Sequence, residues 1–205
     1  MELTIKKLTV DLLNDWLAYF DNDAFSDGDE WPGCYCMHYH WDKKLDKKYN
    51  WNETLEHVYK TTGESTNREH AIRSINNGTM QGYLAYDAGK VVGWCNANDK
   101  RVYNTVYNNF FNDTDKKRKI KSIVCFCISV NMRRKGIATK LLETICADAV
   151  SEGYDYIEAY PYTHGQYNDY HGSLAMFERM GFVKTGQVVD DCYMTRKDCI
   201  IKPYL

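Results

Sequence analysis

The first part of the chain carries two kinds of hydrophobic pattern. Residues 3–8 alternate apolar and polar side chains, which predicts a half-buried strand. The next apolar residues recur at helical spacing and predict a helix with Asp11 as its cap; they are Leu12, Leu13, Trp16, Leu17 and Phe20. The periodicity is lost over residues 21–52, which indicates a long loop with helical pieces. A second helix is expected over residues 65–76.

Strands and helices alternate in the second half. Residues 82–86 and 90–97 predict a hairpin around the turn Asp87-Ala88-Gly89. A long apolar strand over residues 119–130 leads into an amphipathic helix over residues 134–151. The remaining predictions are helices over 101–112 and 173–180 and strands over 156–160, 182–189 and 192–196. This order indicates an α/β fold.

Length and charge narrow the functional classes. The chain has 205 residues, which suits one domain, and its formal net charge of -2 gives no basic field for nucleic acid. It contains no apolar run as long as a membrane span, and its first residues lack the apolar core of a signal peptide. We therefore expect a cytoplasmic protein in which the 8 cysteines are reduced.

The segment over residues 128–142 carries the most specific chemistry. A buried strand ends there, a basic turn follows, and an amphipathic helix begins. Amides at a helix N-terminus lack intrahelical partners and attract anions such as pyrophosphate. Gly136 and Ala138 allow the backbone to approach a phosphate closely. Three cations, Arg133, Arg134 and Lys135, stand where the helix dipole favours acids, which a bound polyanion would explain. The alternative is a basic helix cap without a ligand.

This segment resembles the acetyl-CoA signature of the GNAT superfamily, Gln/Arg-x-x-Gly-x-Gly/Ala after a strand. Arg133, Gly136 and Ala138 occupy the matching positions. Residues 174–182 resemble a second element of the family, a short helix that ends in a Gly-Phe pair. The resemblance covers essentially the whole chain, although its specific motifs lie within residues 119–188.

The resemblance implies a GNAT-type mixed, mostly antiparallel central sheet with splayed central strands and helices on both faces. It implies a single domain over residues 1–205, with an acetyl-CoA-binding core over 119–188 and an acceptor-side region over about 21–78. The pantetheine arm would pair with the backbone of residues 127–130, and the pyrophosphate would lie on the amides of residues 132–139. The cofactor-binding residues expected are Ile128, Val130, Arg133, Arg134, Lys135, Gly136, Ile137, Ala138 and Thr139.

The implied mechanism is direct attack of a neutral amine on the thioester, which needs a proton acceptor and a donor for the CoA thiolate. The family often places a tyrosine where this chain has Phe177, which has no proton to donate. Tyr170 is the substitute that we predict, with solvent protonation as the alternative. Glu158 is the predicted base, because burial of a carboxylate on that strand raises its pKa. Its alternative is a structural ion pair.

The cysteine-rich segment before residue 40 is expected to line the acceptor pocket. Its candidate residues are Trp31, Cys34, Tyr35 and Cys36. A tetrahedral metal site that combines this segment with Cys125, Cys127 and His38 is an alternative. Cys-x-Cys spacing on a strand places both thiols on one face without any metal, so we expect none.

The sequence therefore predicts an N-acetyltransferase that moves an acetyl group from acetyl-CoA to a primary amine of a small molecule or peptide. The alternatives are a transferase that uses a different acyl-CoA and a non-catalytic acyl-CoA sensor, which Phe177 would favour. A nucleotide-binding protein is disfavoured because the glycine-rich phosphate loops are absent from the sequence. We expect neither nucleic-acid nor membrane partners. Members of the family that the chain resembles are often dimers, and whether this chain forms a homodimer stays open. The identity of the amine stays open.

Overall fold

The computed structural model describes residues 2–26, 33–40, 67–103, 115–163, 170–189 and 191–199. Within them, seven strands form one sheet: β1 (Leu3–Lys7), β2 (Gly82–Asp87), β3 (Lys90–Asp99), β4 (Ile120–Ile128), β5 (Tyr156–Ala159), β6 (Val183–Val189) and β7 (Cys192–Asp198). The described α-helices are α1 (Leu13–Asn22), α2 (Asn67–Asn76), α3 (Ile137–Ser151) and α4 (Leu174–Arg179). None of these described helices has the length and apolar character needed to cross a membrane.

The sheet has the order β1-β2-β3-β4-β5-β7-β6, and only β4 and β5 are parallel neighbours. Their pairing covers four positions, from Ile120 opposite Tyr156 to Ile123 opposite Ala159. The β3–β4 register then shifts, so that Val124 is an extra residue in β4. Such a bulge bends its strand. Beyond it β4 continues without β5, which confirms the predicted mixed sheet with splayed central strands.

Each face of the sheet carries helices, as predicted. On one face the α1 side chains Trp16 and Phe20 contact Trp94 of β3. The α2 residues Ala71 and Ile75 belong to the same buried cluster. On the other face the apolar stripe of α3 packs with the buried α4 residues; the two helices contribute Ile137, Leu141, Leu142, Ile145, Cys146, Ala149, Met176 and Phe177 to that cluster. The helical spacing of these apolar residues places them on one side of each helix.

Several element ends differ from the sequence predictions. Asp11 does not cap α1, because the chain enters that helix through a 3-10 turn over Val10–Leu12 and Leu12 is the N-cap. Ser173 lies before α4, where its hydroxyl accepts the Met176 amide. The helix predicted over 101–112 is a single 3-10 turn over Lys100–Val102 followed by extended Tyr103. Residues 104–112 of that prediction lie outside the described residues.

Candidate functional site

A tight turn joins β4 to α3. After Ile128 the chain forms one 3-10 turn over Val130–Met132, and α3 begins at Ile137, three residues later than the predicted start at 134. Arg134 and Gly136 have φ angles of 63° and 82°. Such positive angles strain residues with a Cβ atom and favour glycine. Gly136 therefore sets the backbone conformation from which α3 starts.

The first amides of α3 have the arrangement that the predicted anion site requires. Lys140 makes the first helical hydrogen bond, to the Gly136 carbonyl at 3.0 Å. The amides before it, at Ile137, Ala138 and Thr139, are the N-terminal donors of the helix. No side chain caps this end, and the first turn contains no acidic residue. A Cβ atom at Gly136 would meet open space, which leaves room for a ligand. Amides, dipole and free space together fit a pyrophosphate.

The three predicted cations divide into two groups. Arg134 and Lys135 are exposed beside the start of α3. Arg133 is half-buried and turns back, so that its Nε donates to the Ile128 carbonyl at 3.1 Å. Arg133 thus ties the turn to the end of β4, while the other two face solvent beside the helix start.

Gly93 is a residue of this site that sequence reasoning missed. It lies opposite Ile128 on the neighbouring strand. A Cβ atom there would stand 2.8 Å from Ile128 Cδ1 and 3.1 Å from Ile137 Cγ2. Gly93 therefore lets the first turn of α3 pack close to the sheet. The only signal in the sequence is a glycine inside a strand pattern, which indicates close approach without saying to what.

The splayed edge of β4 forms the wall of a slot that starts at α3. The Ser129 amide donates to Val92 on β3, whereas the Phe126 amide donates to the Tyr170 carbonyl at 2.6 Å. Backbone groups alternate sides along a strand. The groups of Phe126 and Ile128 therefore face the slot, and those of Cys127 face β3. Val130 lies in the 3-10 turn. The backbone groups that face the slot are therefore those of Phe126 and Ile128, whereas the prediction was residues 127–130.

Residues 170–173 close the inner end of the slot. Tyr170 bonds to β4 through its carbonyl, and Ser173 forms a bridge with Tyr162, which follows β5. The Tyr170 ring packs edge-on against Phe25 at 5.3 Å. Phe177 is fully buried and packs against Phe126 and Phe182. The position where the family often has a tyrosine is thus part of the core.

Glu158 lies in a buried ion network. Its carboxylate accepts from Lys100 Nζ and from Arg196 Nε, each at 2.6 Å, and its side chain is 0% exposed. Asp115 bonds the same two cations, at 3.3 Å and 2.6 Å. The Tyr160 hydroxyl also contacts Glu158 Oε1. These are the ion pairs of the structural alternative, and they lie before the splay because Glu158 pairs with Ser122. The role of Glu158 as a base stays a prediction.

The cysteine-rich segment packs against the face of the sheet that carries α1. Tyr35 donates to Asp21 at 2.5 Å, and buried Cys36 accepts from Trp94 Nε1 at 3.2 Å. Cys34 is half-buried, and burial raises the pKa of its thiol to about 12. Trp31 lies outside the described residues. Within the described ranges, no group of three or more His, Cys, Asp or Glu side chains is arranged to hold a metal.

A tyrosine and a histidine meet beside the closed end of the slot. The Tyr39 hydroxyl is 3.0 Å from His171 Nε2. The Tyr162 ring packs against the same imidazole at 5.3 Å. Burial lowers the pKa of His171 to about 4, with a further contribution from His38, and burial raises that of Tyr39 well above its ordinary value. Both side chains are therefore neutral near pH 7. No periodicity in the sequence connects residues so far apart.

Comparisons with known proteins agree with this geometry. The profile of the acetyltransferase (GNAT) family matches residues 16–182. Comparison with curated protein sequences finds no match. Among solved structures, the chain is similar to yncA, a putative acetyltransferase from Salmonella typhimurium with its cofactor acetyl-CoA, at 12% identity and a TM-score of 0.55. That match covers 98% of this chain and 96% of the other.

Two further structures have the same fold. The Drosophila melanogaster polyamine N-acetyltransferase, which catalyses formation of N-acetylagmatine, has 10% identity and a TM-score of 0.55, with 96% and 100% of the two chains covered. The paia N-acetyltransferase from Thermoplasma acidophilum in complex with coenzyme A has 10% identity and a TM-score of 0.52. That match covers 97% of this chain and 99% of the other.

Proposed function

The chain belongs to the GNAT acetyltransferase family, and on that premise we propose that it transfers an acetyl group from acetyl-CoA to a primary amine. The observation that supports this most directly is the start of α3, where uncapped amides and exposed Arg134 and Lys135 surround open space at Gly136. This site ends a slot between splayed strands. A pyrophosphate with an extended arm fits such an arrangement.

Different groups of the turn would bind different parts of acetyl-CoA. The amides of Ile137, Ala138 and Thr139 would bind the pyrophosphate. Arg134 and Lys135 would add charge, and the slot-facing backbone of Ile128 would pair with the pantetheine arm. Arg133 would act indirectly, by fixing the turn through the Ile128 carbonyl. Bound acetyl-CoA would supply an acetyl thioester at the inner end of the slot.

The acceptor is proposed to enter on the face that carries α1 and the segment at Cys34, Tyr35 and Cys36. The opposite face is filled by α3 and α4. The acceptor would be a primary amine of a small molecule or peptide. One similar fold is a polyamine N-acetyltransferase, which makes polyamines and agmatine suitable first probes.

Calorimetric titration with acetyl-CoA, with ATP and NAD as controls, tests the donor site. Selective micromolar binding is the expected result, and equal or tighter binding of ATP or NAD would contradict it. A thiol-release assay with spermidine, agmatine, an aminoglycoside, free amino acids and an alanine-terminated peptide then tests transfer. Amine-dependent CoA release is expected with at least one class. Binding without any such release would favour the non-catalytic acyl-CoA sensor or a transferase for another acyl-CoA.

A further inference from the structure

The proton chemistry of this enzyme needs a donor that the usual position does not provide. Phe177 is 0% exposed and packs in the core on the α3 side of the sheet. The predicted substitute, Tyr170, packs its ring against Phe25 and belongs to the apolar cluster on the other side. A donor for the CoA sulfur must reach the inner end of the slot from the acceptor side.

Tyr39 and His171 lie at that end. His171 directly follows Tyr170, whose carbonyl bonds the slot-facing amide of Phe126. The chain then reaches Gly172, whose φ of 79° reverses its direction before Ser173 meets Tyr162. A Cβ atom on Gly172 would stand 3.0 Å from Met176 Cε and 3.2 Å from Phe177 Cε2. The 170–173 segment is therefore held against the sheet, and it carries the imidazole to the Tyr39 hydroxyl at 3.0 Å.

From this geometry we propose that Tyr39 is the general acid of the transfer and that His171 positions it. The inference rests on the proposed acetyltransferase function. With its proton on Nε2, His171 donates to the Tyr39 oxygen, and the Tyr39 hydroxyl proton is directed toward the thioester sulfur. In the described part of the chain, Tyr39, Tyr162 and His38 lie beside this imidazole.

The step balances without any additional reactant. The nitrogen of the neutral amine attacks the thioester carbon, so that a C–N bond forms. The C–S bond breaks, and the sulfur leaves with the electron pair and takes the Tyr39 proton. The Tyr39 phenolate, stabilised by the His171 N–H, then accepts the surplus proton from the nitrogen. The products are the amide and the free thiol, and Tyr39 is again a phenol.

Steady-state kinetics on two pairs of variants test the proposal, with acetyl-CoA and the best amine of the panel above. Tyr39→Phe should lower kcat by about 100-fold or more, a typical loss for a general acid, and leave the KM for acetyl-CoA within about 3-fold. His171→Leu should lower kcat similarly, whereas His171→Gln, which keeps an N–H near Nε2, should recover most of the loss. Tyr193→Phe and His70→Gln are the matched controls and should retain wild-type kcat.

Histidine-selective ¹⁵N NMR gives a readout that does not depend on turnover. We expect His171 to be neutral with its proton on Nε2, and its Nε2 resonance to shift in Tyr39→Phe but not in Tyr193→Phe. A proton on Nδ1 would overturn the positioning role, and wild-type kcat in folded Tyr39→Phe would overturn the acid. Failure of the wild-type protein to bind acetyl-CoA would instead overturn the proposed function.

Discussion

At the scale of single residues, the proposed donor site depends on backbone conformation more than on side-chain identity. Gly136 has a φ of 82° and faces open space. Its role is to direct the chain into α3 so that the first amides point at one volume. Arg133, although charged, is used to hold the turn to β4. The sequence motif therefore specifies a backbone conformation at the start of α3, with a few cations beside it.

Gly136→Glu is expected to abolish measurable acetyl-CoA binding, with an increase in Kd of at least about 100-fold. The carboxylate would occupy the open volume and repel the pyrophosphate. Gly89→Glu is the matched control, because Gly89 has a φ of 80° and also faces open space. Calorimetry should show normal binding for the control and similar unfolding midpoints for both. Unchanged affinity in Gly136→Glu would contradict the pyrophosphate assignment.

Glu158→Gln should destabilise the fold by about 3–5 kcal/mol, because it leaves Lys100 and Arg196 short of a buried counter-charge. Glu143→Gln, which breaks an exposed pair with Lys140, should change the free energy of unfolding by less than about 1 kcal/mol. Urea unfolding measures both. The pH profile of kcat for Glu158→Gln tests whether Glu158 is also the general base. A profile with the wild-type limbs would remove Glu158 as base. Loss of the limb that a base controls would support that role.

At the scale of elements, the site is a consequence of how β4 leaves its neighbour. The bulge at Val124 bends the strand just after its pairing with β5 ends. The 170–173 segment then bonds to β4 and to the chain that follows β5, and it closes one end of the slot. The packing of α3 against β3 at Gly93 fixes the other end. The slot is therefore bounded by two contacts that are far apart in sequence.

Gly93→Val should weaken acetyl-CoA binding by about 10-fold, or ~1.4 kcal/mol, because the added side chain displaces Ile128 and the first turn of α3. Overpacking of this kind should also lower the free energy of unfolding by about 1–3 kcal/mol. Gly186→Val on β6 is the control, since its Cβ would stand 3.4 Å from Met194 Cε, an ordinary contact. Calorimetry on both variants provides the measurement; a folded Gly93→Val protein with wild-type Kd would refute the positioning role.

At the scale of the whole molecule, two half-buried imidazoles connect stability to pH. Burial lowers the pKa of His40 and of His171 from the ordinary 6.5 to about 4. The unfolded chain therefore binds protons on these residues between pH 6.5 and 4, while the folded protein does not. Above pH 6.5 neither state binds these protons, so the free energy of unfolding has its full value. As the pH falls from 6.5 toward 4, proton uptake by the unfolded chain lowers the free energy of unfolding. The Arg68 ion pair lowers the pKa of Asp21, and Lys121 and Lys7 lower that of Glu152 against the opposing effect of burial. These two carboxylates lose their stabilising contribution only as the pH falls below their ordinary pKa values of 3.8 and 4.5.

The free energy of unfolding should consequently fall between pH 7.5 and pH 4.5, by up to roughly 3 kcal/mol for each imidazole. His40→Gln should flatten the part of this dependence that comes from the described imidazoles by about half, because one of the two described histidines with a lowered pKa is removed. His70→Gln on α2, which removes a half-buried imidazole beside Arg73, should leave the slope unchanged. Urea denaturation across this pH range measures the slope. A wild-type slope in His40→Gln would show that this imidazole binds its proton equally in the folded and the unfolded protein, which would contradict the lowered pKa.

The amino-acid sequence by itself determined most of the elements, and it predicted the donor site at the start of α3, because both depend on local patterns. The alternation in residues 3–8, the helical stripe of α3 and the Arg133–Gly136–Ala138 spacing each lie within one or two elements. Local periodicity cannot show which distant side chains meet. Only the tertiary structure joined Tyr39 to His171, placed Glu158 between Lys100 and Arg196, and put Gly93 beneath Ile137. Those contacts depend on the order of the strands and on the splay of β4. Both features arise only when the whole chain folds and buries the two apolar faces of the sheet.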